Sequence, residues 1–231
     1  MPTRTLIFLV TVLPAVVIAS LQPGQPVPGT VQECEYTDEI PPIDDTERLI
    51  SFSDPYFGSH DADVTVVELF DPNCRHCKSI HPIMQRVIAD NSDRARFYLI
   101  PFVLWERSLV QVEALYVAAQ EDKYHIMLDR QFHHQKSEGL TPDELADIAA
   151  GIGMDRDQFL RRLGQGLNRR SILERRTRLR ELGFDGTPAI LINGRVVASS
   201  SRSARCLNTL IAEAAEAAGT GQAPRGDDGR R

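Results

Sequence analysis

Two cysteines, Cys74 and Cys77, flank Arg75 and His76 in the segment Asp71-Pro72-Asn73-Cys74-Arg75-His76-Cys77. Cysteines at i and i+3 lie on one face of a helix, within the Cα separation that a disulfide needs. The segment follows an apolar run and opens a helical pattern, so Cys74 falls where unpaired backbone N–H groups and the helix dipole favour an anion. Arg75 and His76 add positive character. A thiolate at Cys74 is therefore expected to be stabilised, with a pKa below the free value of about 8.5 and inside the range of about 3.5–7.5 found at such sites. A stabilised thiolate leaves readily, which makes the disulfide form of the pair oxidising.

Other uses of two cysteines can be weighed against redox exchange. A c-type haem needs His directly after the second Cys, and Lys78 stands there instead. Zinc needs four ligands, whereas this motif supplies two; His76 and His81 are near, but there is no second CxxC. A metal-binding carrier using Cys74, Cys77 and a nearby His is the alternative from another class, and a purely structural bridge is the blandest reading. No bound cofactor is expected beyond the Cys74–Cys77 disulfide itself, and no resident metal.

Elements on either side must hold this pair. Asp63 to Phe70 is almost continuously apolar and β-branched, the pattern of a central strand covered on both faces. Asn73 can cap a helix from Cys74 to about Ala89, with Pro82 inside it. Ala95 to Val103 reads as a second strand, which completes a parallel strand–helix–strand unit. From Trp105 to Leu182 only helical periodicity is seen. Val110, Val112, Leu115, Tyr116 and Ala119 give one stripe and Tyr124 to Gln135 another. Thr141-Pro142-Asp143-Glu144 is a capped helix start, and a further helix begins near Asp155. Ala189 to Ala198 is a hairpin turning at Asn193-Gly194, and Ser203 to Ala218 a closing helix. The apolar stripes, Trp105 included, read as core. Eight arginines between Arg161 and Arg180 read as a solvated helix face balancing acidic residues elsewhere, rather than a site for an anionic partner. His125, His133 and His134 complete no ligand spacing.

The 231 residues suit one domain with a real core. Apolar residues at 42% and charged residues at 25% exclude a disordered polymer and a multi-pass membrane protein. Lys+Arg 26 against Asp+Glu 32, a net −6, argues against nucleic acid as a partner. Met1 to Ala19 carries one early cation, Arg4, then an uncharged apolar stretch ending in small residues. This is the pattern of a secretory leader, with cleavage expected after Ala19. The competing reading is an uncleaved anchor, for which Leu6 to Leu21 is shorter than the roughly 20 residues needed to span a bilayer. Residues 20–48 form a Pro/Gly-rich, then acidic, extension; 49–218 form the folded domain with a helical insertion at about 104–182; 219–231 have no apolar periodicity and read as disordered. In an oxidising compartment the two remaining cysteines, Cys34 and Cys206, more often pair than stay free, so a structural bridge pinning the extension onto the fold is expected; two free or intermolecular thiols are the alternative.

Taken together, these motifs resemble the thioredoxin superfamily, and within it the DsbA-like exported thiol–disulfide oxidoreductases. Cys74-Arg75-His76-Cys77 is similar to the family's CxxC, with His before the second Cys. Gly186-Thr187-Pro188 before a strand is similar to its proline loop. The helical block and Glu68, six residues before Cys74, also match. The resemblance spans about Ile50 to Ala218. It implies an α/β thioredoxin fold with an inserted all-helical domain. It further implies a nucleophilic Cys74, a resolving Cys77, a cis peptide at Pro188 facing them, and a Thr187 backbone that pairs with substrate. Arg75 and His76 would tune the pair, and Glu68 would assist proton movement at Cys77. An acid within an apolar strand is expensive unless its pKa rises. The implied partners are exported proteins with free thiols and a membrane redox partner that resets the disulfide. The implied setting is periplasmic or otherwise extracytoplasmic, with or without a retained anchor. Isomerases of this type are built through an added N-terminal domain, for which the extension is too short, so a monomeric oxidase is expected. Arg75 stands where strong oxidases have Pro, and Thr187 is shared with reductase-like and isomerase members, so a reductase or isomerase is the runner-up.

Overall fold

The computed structural model describes residues 33–219, except for the side chain of Glu47. The expected leader Met1–Ala19, the start of the extension and the tail beyond Gly219 lie outside the described residues. Among the described residues the strands are β1 (Tyr56–Gly58), β2 (Val64–Phe70), β3 (Ala95–Pro101), β4 (Ala189–Ile192) and β5 (Arg195–Val196). The α-helices are α1 (Arg75–Asn91), α2 (Ser108–Ala119), α3 (Tyr124–His133), α4 (Pro142–Gly151), α5 (Arg156–Gln165), α6 (Arg169–Glu181) and α7 (Ala204–Gly219). The sheet order is β1-β3-β2-β4-β5, with β2 and β3 parallel and every other pair antiparallel.

β2 sits centrally and all seven of its residues are buried, as a continuous apolar run requires when both faces are covered. Alternation sends its residues to two cores. Val64 and Val66 pack with Ile80 and Met84 of α1 and Leu207 and Leu210 of α7. Val67 and Leu69 face the other way, onto Leu179 of α6 and Phe184. The helices between β3 and β4 have a core of their own, including Leu115, Met127, Leu145 and Phe159, which runs up to Cys74 and Cys77. Local signals hold there: Thr141 and Glu144 form a reciprocal capping box on α4, and the Asp155 carboxylate accepts from Gln158 N at 2.6 Å to cap α5. Asn193 and Gly194 both take positive φ at the hairpin turn.

Five expectations need correction. Asn73 does not cap α1. Its Nδ2 donates to Ser108 Oγ at 2.9 Å, and Cys74 occupies the N-cap position without a side-chain cap bond. The helix also runs to Asn91, held there by bonds from Asn91 Nδ2 to Val87 O and Asn208 Oδ1. β3 ends at Pro101, because the backbone N–H of Leu104 turns to the Asp71 carboxylate. Trp105 is 37% exposed, with the Arg107 guanidinium 4.7 Å from its ring, so it is not core. Nor is the arginine run a purely solvated face. Arg175 is 6% exposed and pairs with Asp54 at 2.6 Å, donates to Ser51 Oγ at 2.9 Å, and contacts the Tyr116 hydroxyl.

The described part of the acidic extension lies along β5. Thr37 N donates to Val196 O at 2.8 Å, Ala198 N to Glu35 O at 3.0 Å, and Ile43 N to Gly194 O at 3.0 Å. A Cβ at Gly194 would meet Ile43 O at 2.0 Å, so this approach admits only glycine. Cys34 and Cys206 are joined in a disulfide, with Cα atoms 5.2 Å apart, which ties the extension to α7.

Candidate active site

The strand-to-helix connection after β2 carries Cys74 and Cys77, both thiols in this structure. Asp71 builds the connection. Its buried carboxylate accepts from Asn73 N, Leu104 N and Ser108 Oγ, each at 2.7 Å, and so joins the loop to the end of β3 and the start of α2. From the far side Gln135, just past α3, donates through Nε2 to Pro72 O at 2.8 Å and Cys74 O at 3.1 Å. The insertion thus grips the backbone on which the thiols are mounted.

Cys74 Sγ lies at the start of α1 and donates to Thr187 O at 3.4 Å. The Thr187–Pro188 peptide is cis. Cys74 is 5% exposed and Cys77 fully buried. A hydrogen bond from the Cys77 thiol pulls Cys74 down to about 5, against the opposing effect of burial; the Thr187 side chain and the backbone N–H groups of Cys77 and His76 add to it. Burial drives Cys77 far above the thiol range, reinforced by its bond to Cys74 and the charge of Glu68. Cys74 is thus the acidic sulfur of the pair, and Cys77 the one that keeps its proton. Arg75 and His76 project from the first turn of α1 and are exposed. The largest identified influence of His76 on Cys74 is through its backbone.

Glu68 lies between Leu99 of β3 and Ile190 of β4 in the strand register, at 2% exposure, on the face that also receives α1. Its position is central, not at a sheet edge. Burial pushes its pKa up to about 8, opposed by Arg202 and aided by Cys74. Of the nearby histidines, His81 is buried in α1, 3.6 Å from Asp129 Oδ1. Among the described residues no group of three or more His, Cys, Asp or Glu could hold a metal, so the carrier reading finds no third ligand there.

Reading the sequence missed three contributors. Asp71 is visible only as part of a motif, and two of the three bonds it anchors come from Leu104 and Ser108, more than 30 residues away. Gln135 recognises backbone carbonyls, which carry no sequence signal. Arg202 precedes α7, and only the fold brings its charge to bear on Glu68 and Cys77.

Comparisons with known proteins agree with this geometry. A family profile described as thioredoxin matches residues 51–212. The thiol:disulfide interchange protein DsbA of Azotobacter vinelandii is 29% identical over 139 residues, covering 57% of this chain and 63% of that protein. The protein of the same name from Pseudomonas aeruginosa PAO1 is 24% identical over 156 residues, covering 64% and 72%. The match thus spans less than two thirds of the Azotobacter relative. Among solved structures, oxidised BdbD from Bacillus subtilis shares the fold with a TM-score of 0.62 at 20% identity, over 71% of this chain and 94% of that one. The thiol-disulfide exchange protein alpha-DsbA2 from Wolbachia pipientis also gives 0.62, at 22% identity over 73% and 90%.

Proposed function

We propose, given that the chain belongs to the thioredoxin family and to its DsbA-like branch, that it is an exported thiol–disulfide oxidoreductase that donates the Cys74–Cys77 disulfide to substrate proteins. The observation that carries this reading is the asymmetry of the pair: a sulfur held at about 5 beside one held far above the thiol range.

A substrate thiolate attacks Cys74 Sγ, the bond to Cys77 breaks, and Cys77 leaves as a thiolate that takes up a proton. The substrate's second thiolate then attacks the substrate sulfur of the mixed disulfide and releases Cys74, whose thiolate is the better leaving group of the two. The substrate loses two electrons and the enzyme retains them as a dithiol until a membrane redox partner reoxidises it. Thr187 and Pro188 form the docking edge for the substrate strand, Arg75 and His76 the exposed rim, and Glu68 the proton store behind Cys77. The Cys34–Cys206 disulfide supports an oxidising, extracytoplasmic setting.

The reduction potential of the Cys74–Cys77 pair, titrated against glutathione, tests the direction. A value close to about −120 mV is expected for a disulfide donor, whereas one close to about −270 mV would make the protein a reductase. A Cys77→Ser variant should accumulate mixed disulfides with substrate proteins, and failure to trap any would remove exchange chemistry from consideration.

A further inference from the structure

We infer that the helical insertion carries a binding site for a primary alkylammonium group, the side chain of a lysine presented by another polypeptide. The site is a cavity between α2, α5 and the start of α6, and the Glu113 carboxylate is its recognition group.

The cavity measures about 410 Å³. Val110 of α2 and Leu160 and Leu163 of α5 give it apolar walls, and Glu113 and Arg169 supply its charges. Glu113 is 4% exposed, and its Oε1 is closed to solvent without a hydrogen-bond partner among the described residues. A buried carboxylate oxygen ordinarily accepts at least one hydrogen bond, because an unmet one forfeits its solvation. The cation beside it does not meet that need. Arg169 Nε lies 3.8 Å from Oε1, beyond hydrogen-bond distance, and the Arg169 side chain is 60% exposed. Burial accordingly holds the Glu113 pKa above the ordinary carboxylate value, with Arg169 opposing it.

Two glycines set the room around this oxygen. Gly166 ends α5 in the left-handed conformation, at φ 59°, and a Cβ there would stand 3.4 Å from Glu113 Oε1. Gly164 has no such duty, since Gly166 already terminates the helix. It lies inside α5, where glycine weakens a helix relative to alanine. It lines the cavity, and a Cβ there would meet nothing within 4 Å. Open space at a helical glycine, next to an unmet buried carboxylate, suits a slender apolar stem with a compact cationic head. A lysine has that shape: its methylenes pack on Val110, Leu160 and Leu163 while its ammonium donates to Oε1. The planar guanidinium of Arg169 stays at a non-bonding distance and turns outward to admit it.

The surroundings favour a polypeptide as the source. Gly166 and Arg169 also line a second hollow, of about 520 Å³, which continues along α6 past Leu173 and Thr177. Leu173 and Leu167 are exposed beside it, offering apolar ground to the residues flanking a lysine.

Amide NMR shifts of the folded protein, titrated with n-pentylammonium, test the site. Saturable shifts are expected at Gly164, Gly166 and Arg169, with the weak dissociation constant of so small a ligand. Neutral 1-pentanol should bind about tenfold more weakly, for want of the charge-assisted bond. Glu113→Gln should weaken the ammonium by a similar factor and leave pentanol unaffected, whereas Arg169→Gln should bind the ammonium at least as tightly. Gly164→Leu, which fills the cavity from a position that nothing crowds, should abolish binding and carries the test if Glu113→Gln does not fold. The peptide acetyl-Leu-Lys-Leu-amide should bind more tightly than n-pentylammonium; equal or weaker binding would overturn the polypeptide source and leave a free amine as the ligand. Equal binding of pentanol and the ammonium, undiminished binding in Gly164→Leu, or no saturable shift at all would overturn the site.

Discussion

The two cysteine pairs use the same chemistry for opposite ends. Cys74 and Cys77 are three residues apart, share a helix start, and differ sharply in acidity. Cys34 and Cys206 are 172 residues apart and join the extension to a helix packed on the sheet. The near pair closes almost no loop, so its bond does little to restrain the unfolded chain, and its energy is set by the electrostatics of two sulfurs. The far pair closes most of the domain and acts chiefly by removing freedom from the unfolded chain. The local pair is therefore built to be exchanged and the distant pair to persist.

Substitution tests this contrast at its widest. Cys74→Ser should lower exchange with a dithiol substrate on the order of 10³-fold or more, the scale of losing a nucleophile. Cys34→Ser with Cys206→Ser should leave that rate within about twofold. A large loss from the distant pair would mean that the two are coupled.

The next largest effect is in acidity. Thiolate absorbance of the reduced protein should rise with a midpoint near 5. The sign is that of a depressed acid: thiolate stabilisation of the folded dithiol form is fully present above the free-thiol pKa and disappears as pH falls through about 5. A midpoint near 8 would make the two pairs electrostatically alike. Third, removing the Cys34–Cys206 bond should lower unfolding free energy in urea by about 2–5 kcal/mol, while reducing Cys74–Cys77 should not destabilise the fold in the same way. Smallest, Gln135→Ala should cost about 1 kcal/mol and shift the active-site potential without ending exchange, since it removes two bonds to the loop but no reacting group.

What the sequence disclosed and what it hid divides along the same line of local against distant. The CxxC at a strand–helix junction, the β-branched run of β2, the Asn193-Gly194 turn and the Thr141 and Asp155 caps each lie within a few residues of their cause. The three-residue β1 was missed because Tyr56–Gly58 has no alternation to read and exists by pairing with β3. Arg175 was assigned to a solvated face because its partner Asp54 is over a hundred residues away. Asn73 looked like a cap until Ser108 of α2 claimed its side chain. The nucleophile was legible for the same reason, since its acidity comes mostly from its own turn and its helix neighbour. Its supports, Asp71, Gln135 and Arg202, act through partners that only the fold brings near.

The buried Arg175 has a consequence for how this molecule comes apart. Asp54 and Ser51 precede the first strand, Arg175 sits on the last helix of the insertion, and Tyr116 on its first. Pulling the insertion away would strand a charge in an apolar interior, a penalty of about 3–5 kcal/mol for a broken buried pair. The helices between β3 and β4 are thereby denied an independent melting transition. Amide protons of α2 and α6 should exchange with deuterium only in the same global opening that releases β2, making the insertion and the sheet one cooperative unit.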